Sequence, residues 1–204
     1  MNKVFKLALC LVIACVSTAC SLSSTEKCEA ALVAGNLKEA EMHLRKIDDG
    51  SKCRYYGGLL IEEYLAIDNL DRAIYVFDNI TGHCSMYNMQ WSYQTGARYA
   101  QTYSKKIYNA LLKAGRYDEA WNYHAISYET EDYPGNASDY FAYMSDCIMH
   151  MCSTGNSSQA SQFIKQKSVW FLKNVDNHKW GEDYPEYRYE TMRSELNKVY
   201  NSAQ

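Results

Sequence analysis

Cysteine and histidine are the side chains of this sequence best suited to chemistry. A metal site would have to use the cysteines and histidines that lie close together in the sequence. These are Cys147, His150 and Cys152, with His83 and Cys84 as further candidates. On a helix, Cys147 and His150 share a face, but Cys152 faces away from them. The sequence has no Cys-x-x-Cys, Cys-x-x-Cys-His or His-Glu-x-x-His motif. We therefore expect neither a metal nor another cofactor.

The sequence also lacks the motifs of the common catalytic sites. It has no Gly-x-Ser-x-Gly elbow, no Walker phosphate loop and no dinucleotide-binding glycine fingerprint. Carboxylate pairs such as Glu62-Glu63 and Glu131-Asp132 are interpreted as solvated faces or loops. No pattern of residues therefore predicts an enzyme.

The N-terminus has the pattern of a secretory signal over residues 1–19. Two lysines precede an apolar or small-residue run from Leu7 to Ala19, which is too short for a membrane-spanning helix. The segment Ser17-Thr18-Ala19-Cys20 resembles the lipobox of bacterial lipoproteins, in which the cysteine becomes the lipidated first residue of the mature protein. Val12-Ile13-Ala14-Cys15 fits that box better but leaves too short an apolar run before it. Cys20 is therefore the predicted lipidation site.

The resemblance to bacterial lipoproteins also implies a location. Ser21, in place of Asp, points to the outer membrane, and the short tether of residues 20–25 has no acidic run. We expect the periplasmic face, with the cell surface as the alternative. Removal of the signal segment also removes Lys3 and Lys6 and takes the net charge from −3 to −5. A net negative charge disfavours nucleic acid as a partner.

Export would place five cysteines beyond Cys20 in an oxidising compartment, where disulfides form. Cys53 begins one predicted helix, and Cys84 follows the end of its predicted antiparallel partner. The sequence therefore predicts a Cys53–Cys84 disulfide. A Cys28–Cys53 bond and a set of buried, reduced thiols are the alternatives.

Four junctions at which one helix stops and the next begins organise the rest of the chain, over residues 35–40, 68–73, 114–120 and 155–160. Each joins a turn-forming residue to polar first-turn residues and an Ala. The sequence has 2 prolines, which suits long helices. The predicted fold is all-α, with helix pairs over 26–34 and 37–47, 52–67 and 70–80, 86–113 and 117–128, and 138–152 and 157–173, followed by a last helix over 183–200.

The clearest internal repeat pairs Ala40, Leu44 and Ile47 with Ala73, Phe77 and Ile80, 33 residues later. These residues resemble the tetratricopeptide repeat (TPR), a helix pair of about 34 residues with a small residue early in its second helix. The third unit departs from this pattern, since His124 and Ser127 stand where the bulky pair belongs. The resemblance implies a short solenoid over residues 26–174, with residues 175–204 as linker and C-terminal capping helix.

In the TPR family, the first helix of each pair lines the inner, binding face. The same positions here predict a groove formed by Tyr55, Leu59, Glu62, Thr102, Lys105, Asn109, Ser145 and Met149. Lys105-x-x-x-Asn109 also matches half of the carboxylate clamp with which some TPR domains hold a peptide C-terminus. The other half is missing, because Ala142, Ser145 and Asp146 stand there.

The function that these patterns predict is that of an envelope-anchored, non-enzymatic scaffold or adaptor for a protein or peptide. A small-molecule or glycan-binding accessory lipoprotein is the alternative. It draws on the 19 tyrosines of the chain, whose rings can act as stacking platforms.

Overall fold

The computed structural model describes residues 22–81, 93–127, 137–174 and 185–204, and side chains within 22–81, 98–124, 141–167 and 193–204. All regular secondary structure in these ranges is helical, which confirms the predicted all-α class. The chain divides into two compact units, and the boundary between them follows Tyr103.

The first unit contains two helix pairs and the start of a fifth helix. Its elements are α1 (Ser24–Val33), α2 (Leu37–Leu44), α3 (Gly50–Ala66), α4 (Leu70–Tyr75) with a π-helical extension (Val76–Thr81), and the beginning of α5 (Tyr93–Lys113). The second unit contains the rest of α5 with α6 (Tyr117–Ser127), α7 (Ala137–Ser153), α8 (Ser157–Asn174) and α9 (Pro185–Ser202).

Side-chain caps fix where the early helices begin. Ser23 and Glu26 form a capping box, in which each side chain accepts a hydrogen bond from the backbone N–H of the other. Helix α1 therefore begins at Ser24, inside the segment that the sequence predicts to be tether. Asp49 caps α3 by accepting from the N–H groups of Ser51 (2.9 Å) and Lys52 (3.1 Å).

The same turn joins the helices of all four pairs, at the four predicted junctions. In each turn one residue has a positive φ: Gly35 (69°), Asp68 (55°), Gly115 (71°) and Gly155 (78°). In the first turn, the N–H of Asn36 donates to the carbonyl of Ala31 (2.8 Å) and the N–H of Gly35 donates to that of Leu32 (2.9 Å). The other three turns repeat both bonds at the equivalent positions. This is the Schellman motif, which satisfies the last carbonyls of the first helix.

Each turn is followed by a helix that buries an alanine completely. These alanines occupy equivalent positions, five residues after the positive-φ residue: Ala40, Ala73, Ala120 and Ala160, all 0% exposed. A methyl side chain allows two helices to approach closely, and a larger one would overpack the contact. All four junction alanines are therefore buried packing residues.

A buried carboxylate ties three helices of the first unit together. Glu41 on α2 accepts hydrogen bonds from the Tyr64 hydroxyl on α3 (3.2 Å), from Arg45 Nη2 (2.8 Å) and from Nε (3.0 Å) and Nη2 of Arg72 on α4. Both guanidinium groups lie over the ring of Tyr75, at 5.1 and 4.6 Å from its centroid. Burial opposes the ionisation of Glu41, but the hydrogen bonds from Arg72 and Arg45 outweigh it and lower its pKa.

The second helix of the second pair does not end as the sequence predicts. Instead of continuing as an α-helix to Ile80, it widens into a π-helix after Tyr75. The wider turn directs Thr81 into the core, where its hydroxyl donates to the carbonyls of Val76 and Phe77 (3.3 and 3.1 Å). Thr81 is 0% exposed and is in turn the acceptor for the Tyr99 hydroxyl (2.9 Å).

The core of the second unit is formed by α5, α7 and their partners, with α9 packed against both α7 and α8. Its fully buried apolar residues include Ile107, Leu111, Met144, Ile148 and Leu196. The Tyr108 hydroxyl on α5 donates to Asp146 on α7 (2.8 Å), and burial together with this carboxylate raises the pKa of Tyr108. Among the described side chains of α9, Leu196 is fully buried.

Candidate functional site

Four of the predicted groove residues lie in the first unit: Tyr55, Leu59, Glu62 and Thr102. Tyr55 is 63% exposed, Thr102 is exposed, and Leu59 and Glu62 are half-buried. The hydroxyl of Tyr103 lies 3.5 Å from Glu62 Oε1. Burial, the Glu62 carboxylate and the nearby Tyr55 raise the pKa of Tyr103 to about 12. Tyr103, which the groove prediction did not include, thus lies beside Glu62.

Two consecutive glycines on α3 make room for the tyrosines of α5. A Cβ atom on Gly58 would lie 2.2 Å from the Tyr103 hydroxyl, and one on Gly57 would lie 2.2 Å from Thr81 Cγ2. The Tyr99 and Tyr103 rings pack together with their centroids 4.6 Å apart. Glycine inside a helix costs stability, so a Gly-Gly pair in an otherwise helical pattern is the sequence signal for this close approach.

The other four predicted groove residues lie in the second unit: Lys105, Asn109, Ser145 and Met149. Lys105 and Asn109 are exposed one turn apart on α5, as the clamp pattern requires. On α7, Met149 is 47% exposed, but Ser145 is only 9% exposed, and its hydroxyl has no hydrogen-bond partner among the residues that the structure describes. Ser145 therefore belongs to the interior of this unit and not to its surface.

The second unit also has a cavity that the groove prediction did not include. It has a volume of about 550 Å³ and lies between the start of α6 and one side of α8. Its floor is formed by Tyr117, Met151 and Phe163, which are buried, and its rim by polar residues. Three glutamines of α8 line one wall: Gln159, Gln162 and Gln166, all exposed.

The charged residues of the cavity form ion pairs with each other. Arg116 donates to both carboxylate oxygens of Glu119 (2.8 and 2.6 Å), and Lys167 forms an ion pair with Asp118. The formal charges that line the cavity therefore cancel. The Lys167 ammonium also lies 5.8 Å from the centroid of the Phe163 ring. The cavity thus presents a neutral, polar wall above an apolar floor.

Buried aromatic and histidine side chains support the cavity from the interior. The Tyr143 hydroxyl donates to the carbonyl of Tyr117 (2.7 Å), and the Tyr117 hydroxyl lies 3.0 Å from His150 Nδ1. His124 is 0% exposed and packs against Trp121, with ring centroids 6.0 Å apart. His124, which breaks the repeat pattern in the sequence, is thus a core residue.

The cysteines that the structure describes are consistent with thiols in a core. Cys28 and Cys147 are fully buried and carry free thiols, and burial raises the pKa of Cys28 to about 11 and that of Cys147 still further. A Cys28–Cys53 bond, the alternative pairing, is therefore not formed in this structure. Cys53 is 2% exposed, and Cys84 lies outside the described residues, so their pairing stays a prediction.

The lipidation prediction, and part of the metal-site prediction, concern residues outside the described ranges. Within the described ranges, no three His, Cys, Asp or Glu side chains are grouped so that they could hold a metal ion. Cys20 lies outside those ranges. Among the helices that the structure describes, none combines the length and the apolar composition needed to cross a bilayer.

Comparisons with known proteins identify no relative of this chain. No protein-family model, curated protein or solved structure matches this chain.

Proposed function

We propose that this chain is a lipoprotein of a Gram-negative envelope whose helical domain is a non-enzymatic scaffold for a protein or peptide. Its anchor is lipidated Cys20, in the outer membrane and on the periplasmic face. Its domain is a short TPR-like solenoid of four helix pairs, with α9 as the terminal cap. Helical arrays of this kind bury their core between neighbouring pairs and leave an extended surface for a partner.

The observation that carries this proposal is the fourfold recurrence of one turn and one buried alanine. Four Schellman turns with the same two hydrogen bonds, each followed by a fully buried alanine, are what a chain of equivalent units requires. The spacings between these alanines are unequal, so the units differ in the lengths of their helices and loops. A repeated scaffold with variable inserts is typical of proteins that bind other proteins.

Small-molecule or glycan binding is the second candidate function, and the cavity of the second unit favours it. A volume of about 550 Å³ lies within the range of about 300–1,000 Å³ that is usual for ligand pockets. Stacking on a sugar needs an exposed aromatic face, however, and the two rings in the cavity floor, Tyr117 and Phe163, are each 7% exposed. The burial of these two rings favours the protein- or peptide-binding scaffold over glycan binding.

Crosslinking in intact envelopes tests the proposed function. The full-length protein with a C-terminal tag is crosslinked in cells, purified from solubilised membranes and analysed by mass spectrometry. We expect one or a few envelope proteins to co-purify far above the level obtained with an unrelated tagged lipoprotein. Partners that match those of the unrelated lipoprotein would contradict the scaffold proposal. Exclusive recovery of a small ligand would favour the second candidate.

A further inference from the structure

The glutamine wall of the cavity, formed by Gln159, Gln162 and Gln166, is suited to hydrogen bonding with peptide groups. The three side chains recur at spacings of three and four, which places them on one face of α8. A carboxamide has two N–H donors and a carbonyl acceptor, so it can pair with both the C=O and the N–H of a peptide group. All three are exposed, and their amides are therefore accessible to a ligand.

The spacing of Gln162 and Gln166 along the helix also matches an extended chain. Gln162 and Gln166 are separated by about 6 Å along the axis of α8, at about 1.5 Å per residue. Peptide groups that face the same side of an extended chain recur every two residues, or about 6.7 Å. Flexible glutamine side chains can absorb the remaining difference.

The other walls of the cavity restrict the kind of ligand. The lining charges cancel in two ion pairs, so the cavity offers no net charge to an acidic or basic ligand. The buried rings of Tyr117 and Phe163 offer little face on which a sugar could stack. The exposed glutamine wall is therefore the surface that a ligand would contact.

We infer that this cavity binds the main chain of an extended, uncharged polypeptide segment, with little dependence on its side-chain sequence. This inference rests on the proposed function and assigns it a specific site. The site differs from the predicted groove, because α6 and α8 are the second helices of their pairs, whereas the groove residues lie on first helices.

Binding of defined peptides to the full-length, detergent-solubilised protein tests the inference. The probes are fluorescent, end-blocked peptides of Ala, Ser and Val, a scrambled version, and a version with alternate backbone nitrogens methylated. We expect the scrambled peptide to bind as well as the parent, and the methylated one to lose binding because it lacks N–H donors. Each of Gln159→Ala, Gln162→Ala and Gln166→Ala should weaken binding about two- to tenfold. Lys165→Ala, an exposed change on the same helix outside the cavity, is the matched control.

The possible failures separate the inference from the proposed function. Binding that survives all three glutamine changes together but falls with Asn109→Ala would overturn the inference and leave the scaffold in place. Failure of every peptide to bind, while envelope proteins still co-purify, would also overturn the inference and leave the scaffold proposal in place. Competition by oligosaccharides but not by peptides would also overturn it. If neither peptides nor envelope proteins bind, both proposals fail. Circular dichroism of each variant shows that lost binding does not reflect lost folding.

Discussion

Replacement of Glu41 by Gln should destabilise the first unit through one buried carboxylate. The carboxylate is 4% exposed and accepts four hydrogen bonds, three of them from Arg45 and Arg72. Gln keeps the size of the side chain but removes the charge and turns an N–H₂ group toward arginine donors. Glu39→Gln is the matched control, since Glu39 lies on the same helix with its side chain 50% exposed.

The magnitude follows from the burial of the partners. Removal of one partner of a fully buried ion pair costs about 3–5 kcal/mol. Here the arginine side chains are 46% and 41% exposed, so water can solvate them after the change, and their contribution is screened. We therefore expect a loss of about 2 kcal/mol for Glu41→Gln and less than about 0.5 kcal/mol for Glu39→Gln.

Hydrogen exchange with mass spectrometry measures this loss locally. At neutral pH, the amides of α2 and α4 should lose protection by about thirtyfold in Glu41→Gln, and peptides from α8 provide the internal reference. Equal protection in the Glu41 and Glu39 variants would refute the assignment of the buried carboxylate as the link between these helices.

The pH dependence of stability is an independent check on the same group. Because the pKa of Glu41 is lower in the folded state than in the unfolded chain, its contribution is complete above the ordinary glutamate pKa of about 4.3. It is lost as the pH falls through the lower, folded-state pKa. Thermal melts of wild type and Glu41→Gln should therefore differ at pH 7 and converge in strong acid. A gap that stays constant with pH would contradict the electrostatic explanation.

Three further predictions concern packing, the anchor and the disulfide. Ala120→Leu should lower the free energy of unfolding by about 1–3 kcal/mol because it overpacks a fully buried contact, whereas Ala34→Leu, at an exposed position, should change it little. Thermal or urea unfolding measures both variants, and equal stabilities would contradict the equivalence of the junctions. Metabolic labelling with a clickable fatty acid should mark the wild type, and undiminished labelling of Cys20→Ala would exclude Cys20 as the lipidation site. Peptide mapping of non-reduced, exported protein should recover Cys53 linked to Cys84, a bond that would add roughly 3–4 kcal/mol, and free thiols at both positions would rule it out.

The features that the sequence predicts well are local ones. The junction at Gly115 combines a helix stop, first-turn acidic residues and Ala120 within a few positions, and each of these acts over short range. The same holds for α5, which lies within the helix predicted over residues 86–113 and buries Ile107 and Leu111 in the core. Ala120 is buried although His124 stands at the next repeat position, where a bulky apolar residue is expected.

The features that the sequence does not predict depend on contacts between distant positions. Glu41 contacts Arg72, 31 residues later, which the second helix pair places beside it. The Gly57-Gly58 pair indicates a close approach, but its partner, Tyr103, becomes evident only from the fold. The cavity likewise requires the start of α6 and the glutamines of α8 to meet, so periodicity alone places Gln162 on a helix face without saying what it faces.

Site-specific photocrosslinking in living cells tests the scaffold most directly. A photoreactive amino acid is introduced at Asn109 on the predicted groove, at Gln162 in the cavity and, as a control, at Ala34, all of which are exposed. We expect a discrete protein adduct from Asn109 or Gln162 and none from Ala34. No protein adduct at either test position, or the same adducts at all three positions, would contradict the proposal that this helical domain is a binding scaffold.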